Sequence, residues 1–133
     1  RICIMEYIIF KKERMPKSRI SAFKAVYKTD SNGPYMIMIK DRKICIEPFD
    51  MNVELTEQFR YLIGVYKDFV VLGEWFLNKN IIRSYKPKVN KEDNRYSINI
   101  SSSCINDFNI KFKNEDELTN ALLKIDEMFN VIW

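Results

Sequence analysis

The chain has no histidine among its 133 residues. That absence removes Ser-His and Cys-His nucleophile pairs, the commonest general base, and most zinc and non-haem iron sites. Glycine is almost as scarce. Gly33, Gly64 and Gly73 are the only three, and their spacing fits neither a dinucleotide fingerprint nor a phosphate-cradling P-loop. Three glycines and four prolines also exclude collagenous, linker-like and low-complexity chains. The cysteines, Cys3, Cys45 and Cys104, are odd in number, far apart and without C-x-x-C spacing. They form neither a disulfide framework nor a zinc site, and beside isoleucines they read as small core hydrophobes. No apolar run approaches the ~18 residues of a membrane span. Glu6 and Lys11 interrupt any signal-peptide core. The expectation is a soluble intracellular chain, in cytoplasm or nucleus, in a reducing compartment and without membrane contact.

What is present is an ordinary globular composition with 47% hydrophobic residues, nine Phe, seven Tyr and two Trp. This length fits a single domain over residues 1–133, with enough core to dispense with metals and disulfides. Net charge is +4 but unevenly placed. Between Lys11 and Lys28 stand Lys11, Lys12, Arg14, Lys17, Arg19, Lys24 and Lys28 against Glu13. Between Arg83 and Arg95 stand Arg83, Lys86, Lys88, Lys91 and Arg95 against Glu92 and Asp93. Such clustering suits a polyanion. It also suits plain solvated lysine in a Lys/Asn/Ile-rich sequence.

The chain repeats a pattern, and repetition defines the folding unit. Tyr27-Lys28 is followed by Tyr35-x-Ile37-x-Ile39, and Tyr85-Lys86 by Tyr96-x-Ile98-x-Ile100. Each copy leads to the tripeptide Glu-Leu-Thr, at Glu54 and at Glu117. The predicted unit is strand-strand-strand-helix, used twice, over about 18–68 and 81–130. The fold class is α+β, with antiparallel sheet and amphipathic helices laid on one face.

Residues 2–10 read as a buried strand and Lys11 to Ser18 as a polar connection. Alternation in 20–28 places Phe23, Ala25 and Tyr27 on one face. A turn at Asp30 to Pro34 leads to a strand over 35–39, a tight turn at Asp41-Arg42, and a return strand over 43–47. Asn52 is placed as the N-cap of a helix with Leu55, Phe59, Leu62, Ile63 and Tyr66 on its apolar stripe, ending near Asp68. Periodicity leaves 69–77 open between strand and helix. In the second copy, Pro87 to Arg95 reads as a long hairpin loop, with strands at 96–100 and 105–112. Asn114-x-x-Glu117 is a capping-box-like start to the last helix, with Asn in place of the usual Ser or Thr. Its neighbours Glu115 and Asp116 are explained by the helix dipole, so no metal or cofactor is expected.

Aromatic and basic residues meet on the strands: Arg19, Phe23, Lys24, Tyr27 and Lys28 in one copy, Arg83, Tyr85, Lys86 and Lys88 in the other. Single-stranded nucleic acid is held by this combination, bases stacking on rings while cations track phosphates. The competing reading has the rings facing the core and the lysines merely solvated, which alternation favours for Phe23.

A strand-rich unit closed by one amphipathic helix and used twice resembles the PUR-repeat family of single-stranded DNA- and RNA-binding proteins, and more loosely the Whirly and PC4-like coactivator folds. The resemblance covers residues 18–130, carried by the two Tyr-Lys pairs, the two Tyr-x-Ile-x-Ile runs and the two helices. It implies a non-enzymatic module, possible as a homodimer, with single-stranded nucleic acid on exposed sheet surfaces. The candidate contacts are Arg19, Lys24, Tyr27, Lys28, Arg83, Tyr85, Lys86 and Lys88. The alternative is a protein-binding factor of immunity, inhibitor or viral host-interaction type. It would use the aromatic stretch around Trp75 with Trp133, since Trp is enriched at interface hot spots. A histidine-free nuclease would need two carboxylates converging beside a lysine.

Overall fold

Alternating runs joined by tight turns dominate the chain, and the structure follows them. It is a computed structural model that describes residues 5–27 and 33–132. Among the described residues there are ten strands in three antiparallel sheets and two α-helices, an α+β architecture. The chain divides into two compact units, residues 1–79 and 80–133. Each contains the order strand-strand-strand-helix.

The first unit opens with a hairpin of β1 (Tyr7–Phe10) and β2 (Glu13–Pro16). The polar connection expected over 11–18 is therefore a two-residue turn followed by a strand. Lys11 and Lys12 take φ of 47° and 71°, the left-handed values that a tight hairpin turn demands. Three bonds anchor this charged turn. The Lys11 N–H donates to Gln58 Oε1 at 3.0 Å, and its ammonium lies 3.6 Å from Glu47 and also donates to the Pro48 carbonyl.

Next come β3 (Ile20–Val26), β4 (Tyr35–Lys40) and β5 (Lys43–Pro48). The expected Asp41-Arg42 turn joins β4 to β5 with φ of 54° and 65°. The turn expected at Asp30 to Pro34 lies partly outside the described residues. Helix α1 runs Asn52–Val65. Its N-cap is Met51, with no side-chain cap bond, so Asn52 is the first helical residue and not the cap. It stops at Val65 rather than near Asp68, because Tyr66 leaves helical geometry at ψ 57°. The undecided stretch is a second hairpin, β6 (Val70–Leu72) and β7 (Trp75–Leu77), turned at Gly73 with φ 60°. The five-stranded sheet has the order β5-β4-β3-β7-β6, with β3 at its centre.

Phe23, the middle of β3, is fully buried. Its ring meets Phe59 edge-on at 5.9 Å, stacks on Phe76 at 5.4 Å, and is flanked by Tyr66 and Phe69 at 5.8 and 6.0 Å. The same core takes Ile8, Phe10 and Met15 from the first hairpin, Met36 and Met38 from β4, and Leu55 and Leu62 from α1.

In the second unit β8 (Ile82–Asn90), β9 (Arg95–Ser102) and β10 (Phe108–Phe112) form a meander of order β10-β9-β8. The long loop expected from Pro87 to Arg95 is mostly strand, with only residues 91–94 turning. Pro87 is tolerated because β8 borders its sheet, where a missing N–H breaks no ladder bond. Helix α2 (Glu115–Met128) packs on all three strands. The cap half of its expected capping box is present, Asn114 Oδ1 accepting from the Glu117 N–H at 2.8 Å, but Glu117 Oε2 reaches back to the Lys113 N–H, one residue before the cap, at 3.1 Å.

The two Tyr-x-Ile-x-Ile runs differ in phase. In β9, Ile98 and Ile100 are buried on the α2 side, while in β4 the Phe23 core takes Met36 and Met38, and the motif residues stand on the opposite face, Tyr35 and Ile37 half-buried and Ile39 fully buried.

Replacing Phe23 with Ala should cost about 3–5 kcal/mol, the range for a buried aromatic truncation. Thermal unfolding followed by circular dichroism measures it, and a shift no larger than that of an exposed-site variant would contradict the central role of the ring.

Candidate nucleic-acid interface

The eight residues singled out on the strands separate into different environments. Arg19 stands at the end of a short 3-10 turn over Lys17–Arg19. Its Nε donates to Asp41 Oδ1 at 2.7 Å, and a second guanidinium N–H bonds the other carboxylate oxygen. This fork holds the Asp41 carboxyl below its ordinary value. Lys24 on β3 lies 3.7 Å from Glu74 and 5.6 Å above the Trp75 ring. Tyr27 is 49% exposed, with its hydroxyl 3.0 Å from Thr56 Oγ1 on α1. Lys28 lies outside the described residues. In the first unit the described candidates are therefore committed to partners within their own unit.

The β8-β9-β10 register sorts the others by face. Tyr85 lies opposite Ile100 and Phe108, Pro87 opposite Ile98 and Ile110. That is the helix-bearing face. The Tyr85 hydroxyl donates to Asp126 Oδ1 at 2.7 Å, and its ring stacks on Phe129 at 5.9 Å. Burial foremost, then the Asp126 carboxylate, push the Tyr85 hydroxyl up to about 12. Tyr85 therefore does not share a face with Lys86 and Lys88.

The opposite face is polar throughout. Lys86 lies beside Asn99 and Asn109, and Lys88 beside Ser97 and Lys111. Arg95 pairs with Asn90 at the hairpin end. Lys86, Lys88, Arg95 and Lys111 are exposed, and the strand positions of this face carry no carboxylate. Lys88 and Lys111 sit two strands apart, about 10 Å at the ordinary interstrand spacing. Asn99 Nδ2 donates to Asn109 Oδ1 at 3.0 Å, bridging two strands. Toward the hairpin end the face forms a concavity of about 550 Å³, lined by Lys88, Asn90, Arg95, Ser97, Asn109 and Lys111 among others. Arg83 is exposed where the β8-β9 register shifts between Ile82 and Ser84.

The ion pairs of the described residues lie in the first unit, although Lys12, Arg14 and Lys43 there have none. In the first unit Lys11, Lys17, Arg19, Lys24 and Lys40 each have a carboxylate within 4 Å. Among the described residues, Arg83, Lys86, Lys88, Arg95 and Lys111 have none. The nearby Asp93 is taken by Asn90, whose Nδ2 donates to it at 3.0 Å.

Lys111 and the uncharged Ser97, Asn99 and Asn109 were not among the sequence candidates. Their signal is period-two polarity, Arg95-x-Ser97-x-Asn99-x-Ser101 and Asn109-x-Lys111, which marks a wet sheet face as surely as apolar alternation marks a dry one. Trp75 is half-buried beneath Lys24, and Trp133 lies outside the described residues. Among the described residues no group of three or more Cys, Asp or Glu could hold a metal ion. No helix of the described residues is long and apolar enough to cross a membrane.

The Tyr85–Asp126 bond carries a pH dependence. An unfolded tyrosine ionises near 10, so above that pH the unfolded chain gains a charge that the folded chain resists. Stability present at neutral pH is therefore lost between about 10 and 12. Tyr85→Phe should cost about 1–3 kcal/mol at neutral pH, the charge-assisted bond being lost, and should flatten that alkaline fall. Urea unfolding of both proteins at neutral pH and at about pH 11 checks it; parallel losses in the two proteins would contradict the assignment.

No protein-family model, no curated protein and no solved structure matches this chain.

Proposed function

We propose that this chain is a non-enzymatic module that binds single-stranded DNA or RNA on the polar face of the β8-β9-β10 sheet. The observation that supports this reading is the set of exposed cations Lys86, Lys88, Arg95 and Lys111, which share one face with neither a carboxylate nor an ion-pair partner among the described residues. Leaving four like charges together is unfavourable for the isolated fold, and a polyanion offsets that repulsion by exchanging its condensed counterions for the lysines and arginine.

The contact differs from the basic-aromatic one expected at the outset. Tyr85 and Tyr27 bond to their own helices, so the face offers cations and amides rather than stacking rings. Lys and Arg track phosphates, while Asn99, Asn109 and Ser97 supply neutral donors and acceptors to sugar or base edges. Sequence preference is expected to be weak for that reason. A protein partner seated on Trp75 is the alternative, and it has less support because Lys24 lies over that ring.

Fluorescence anisotropy with labelled single-stranded DNA and RNA tests the proposal. The Lys86→Glu/Lys88→Glu/Lys111→Glu variant should lose at least about tenfold in affinity at low salt, while Arg19→Ala/Lys24→Ala stays within about twofold. With four phosphate contacts at ~0.7 each, log K against log salt should fall with a slope of about −3. No binding at micromolar protein in low salt, or equal loss in the two variants, would sink it.

A further inference from the structure

β5 ends the five-stranded sheet and has a strand neighbour on one side only. In a two-residue hairpin the residues flanking the turn exchange both ladder bonds, and bonded and non-bonded pairs alternate from there. Lys40 and Lys43 flank Asp41-Arg42. Lys43, Cys45 and Glu47 thus direct their backbone groups toward β4, and Ile44 and Ile46 direct theirs outward. Among the described residues nothing bonds those outward groups. The two side chains stand on the face away from the Phe23 core, 56% and 63% exposed, Ile44 opposite fully buried Ile39 and Ile46 opposite half-buried Ile37. An open edge carrying exposed apolar side chains is a template for another strand. Beyond Glu47 the edge is closed, because Pro48 has no N–H and the Lys11 ammonium holds its carbonyl.

The open segment is Lys43-Ile44-Cys45-Ile46-Glu47, and it is complementary to itself read backwards. Antiparallel pairing about Cys45 sets Ile44 against Ile46 and Lys43 against Glu47, each twice by symmetry. The Ile44–Ile46 pairs become the hydrogen-bonded ones, so every outward N–H and C=O of both copies is used. Lys43 has no ion-pair partner among the described residues. Glu47 already meets Lys11 and Lys40 at 3.6 and 3.1 Å, so the cross-edge charge pairs set register more than affinity. A shift that centres on Ile46 would put Pro48 opposite Ile44 and lose donors. A one-residue slip would turn the isoleucines of one copy to the wrong face.

We propose that a second copy of this chain docks on β5, antiparallel and centred on Cys45, fusing two five-stranded sheets into one of ten strands. The contact is isologous, as a two-fold dimer requires. The contact is confined to one short strand edge, so the dimer is expected to be weak and concentration-dependent.

Sedimentation velocity of the whole chain from about 1 to about 100 μM reads the association. The wild type should shift from monomer to dimer, and Ile44→Lys/Ile46→Lys should remain monomeric with unchanged thermal unfolding, since both side chains are exposed. Cys45 meets its symmetry mate at a non-hydrogen-bonded position, where Cα atoms stand about 4.5 Å apart. In a Cys3→Ser/Cys104→Ser background, copper-phenanthroline should therefore trap a Cys45–Cys45 disulfide dimer. A monomer at every concentration overturns the proposal. So does a dimer that survives the lysine pair, or one that Cys45 fails to cross-link.

Discussion

The packing of the Phe23 ring is the interaction on which the first unit depends. β3 is the central strand of a sheet assembled from three separate stretches of chain, and Phe23 is the side chain at which they converge. Phe59 brings α1, Phe76 brings the β6-β7 hairpin, and Tyr66 and Phe69 bring the segment between them. Aromatic pairs at these separations add specificity of angle to ordinary apolar burial. A non-local core of this kind forms only after the intervening loops have closed, so its entropy cost precedes its reward. The Tyr66 hydroxyl closes the cluster on its wet side by donating to the Lys17 carbonyl at 2.7 Å, and burial pushes its ionisation well above the ordinary tyrosine value.

The cations of the two units have different fates. Around the first core they serve architecture: Lys11 braces the first turn, Arg19 clamps the second, and Lys24 covers an indole. Exposed pairs of this kind contribute little individually, but they leave few unneutralised cations on that sheet. The β8-β10 face has the same residue types without the acids. Net charge alone could not separate these cases, since the charge clusters at 11–28 and 83–95 look alike as strings. Only the register, which decides who faces whom, distinguishes a solvated brace from an unspent charge.

Much of the architecture was legible in the sequence because the rules that carry it are local. Alternation located β3, β4, β9 and β10, helical spacing located both helices, and Asn114 marked a helix N-cap that forms as read, although Glu117 answers it through Lys113. The misreadings arose where tertiary context overrides local preference. Lys11-Lys12 has none of the Asn-Gly chemistry of a tight hairpin, and its geometry is held by Gln58 and Glu47 from distant positions. Pro87 signals a break in isolation, yet it lies within β8 because that strand borders its sheet. The repeated Tyr-x-Ile-x-Ile motif hides opposite phases, since methionine at 36 and 38 is as apolar as its isoleucine neighbours and either set could face a helix. For the candidate interface, the lysines of β8 were visible but their separation from Tyr85 was not. Adjacent residues on a strand always point to opposite faces, so a Tyr-Lys dipeptide cannot present both groups to one ligand surface while it stays in the strand.

Pro87 also bears on how the chain behaves in a crowded solution. A sheet border propagates from molecule to molecule only if its row of donors is unbroken, and a proline near the middle of β8 leaves that row with a gap. The second unit thus carries a built-in stop against filament growth along β8. A growing fibril would have to bypass that position or begin from a different border.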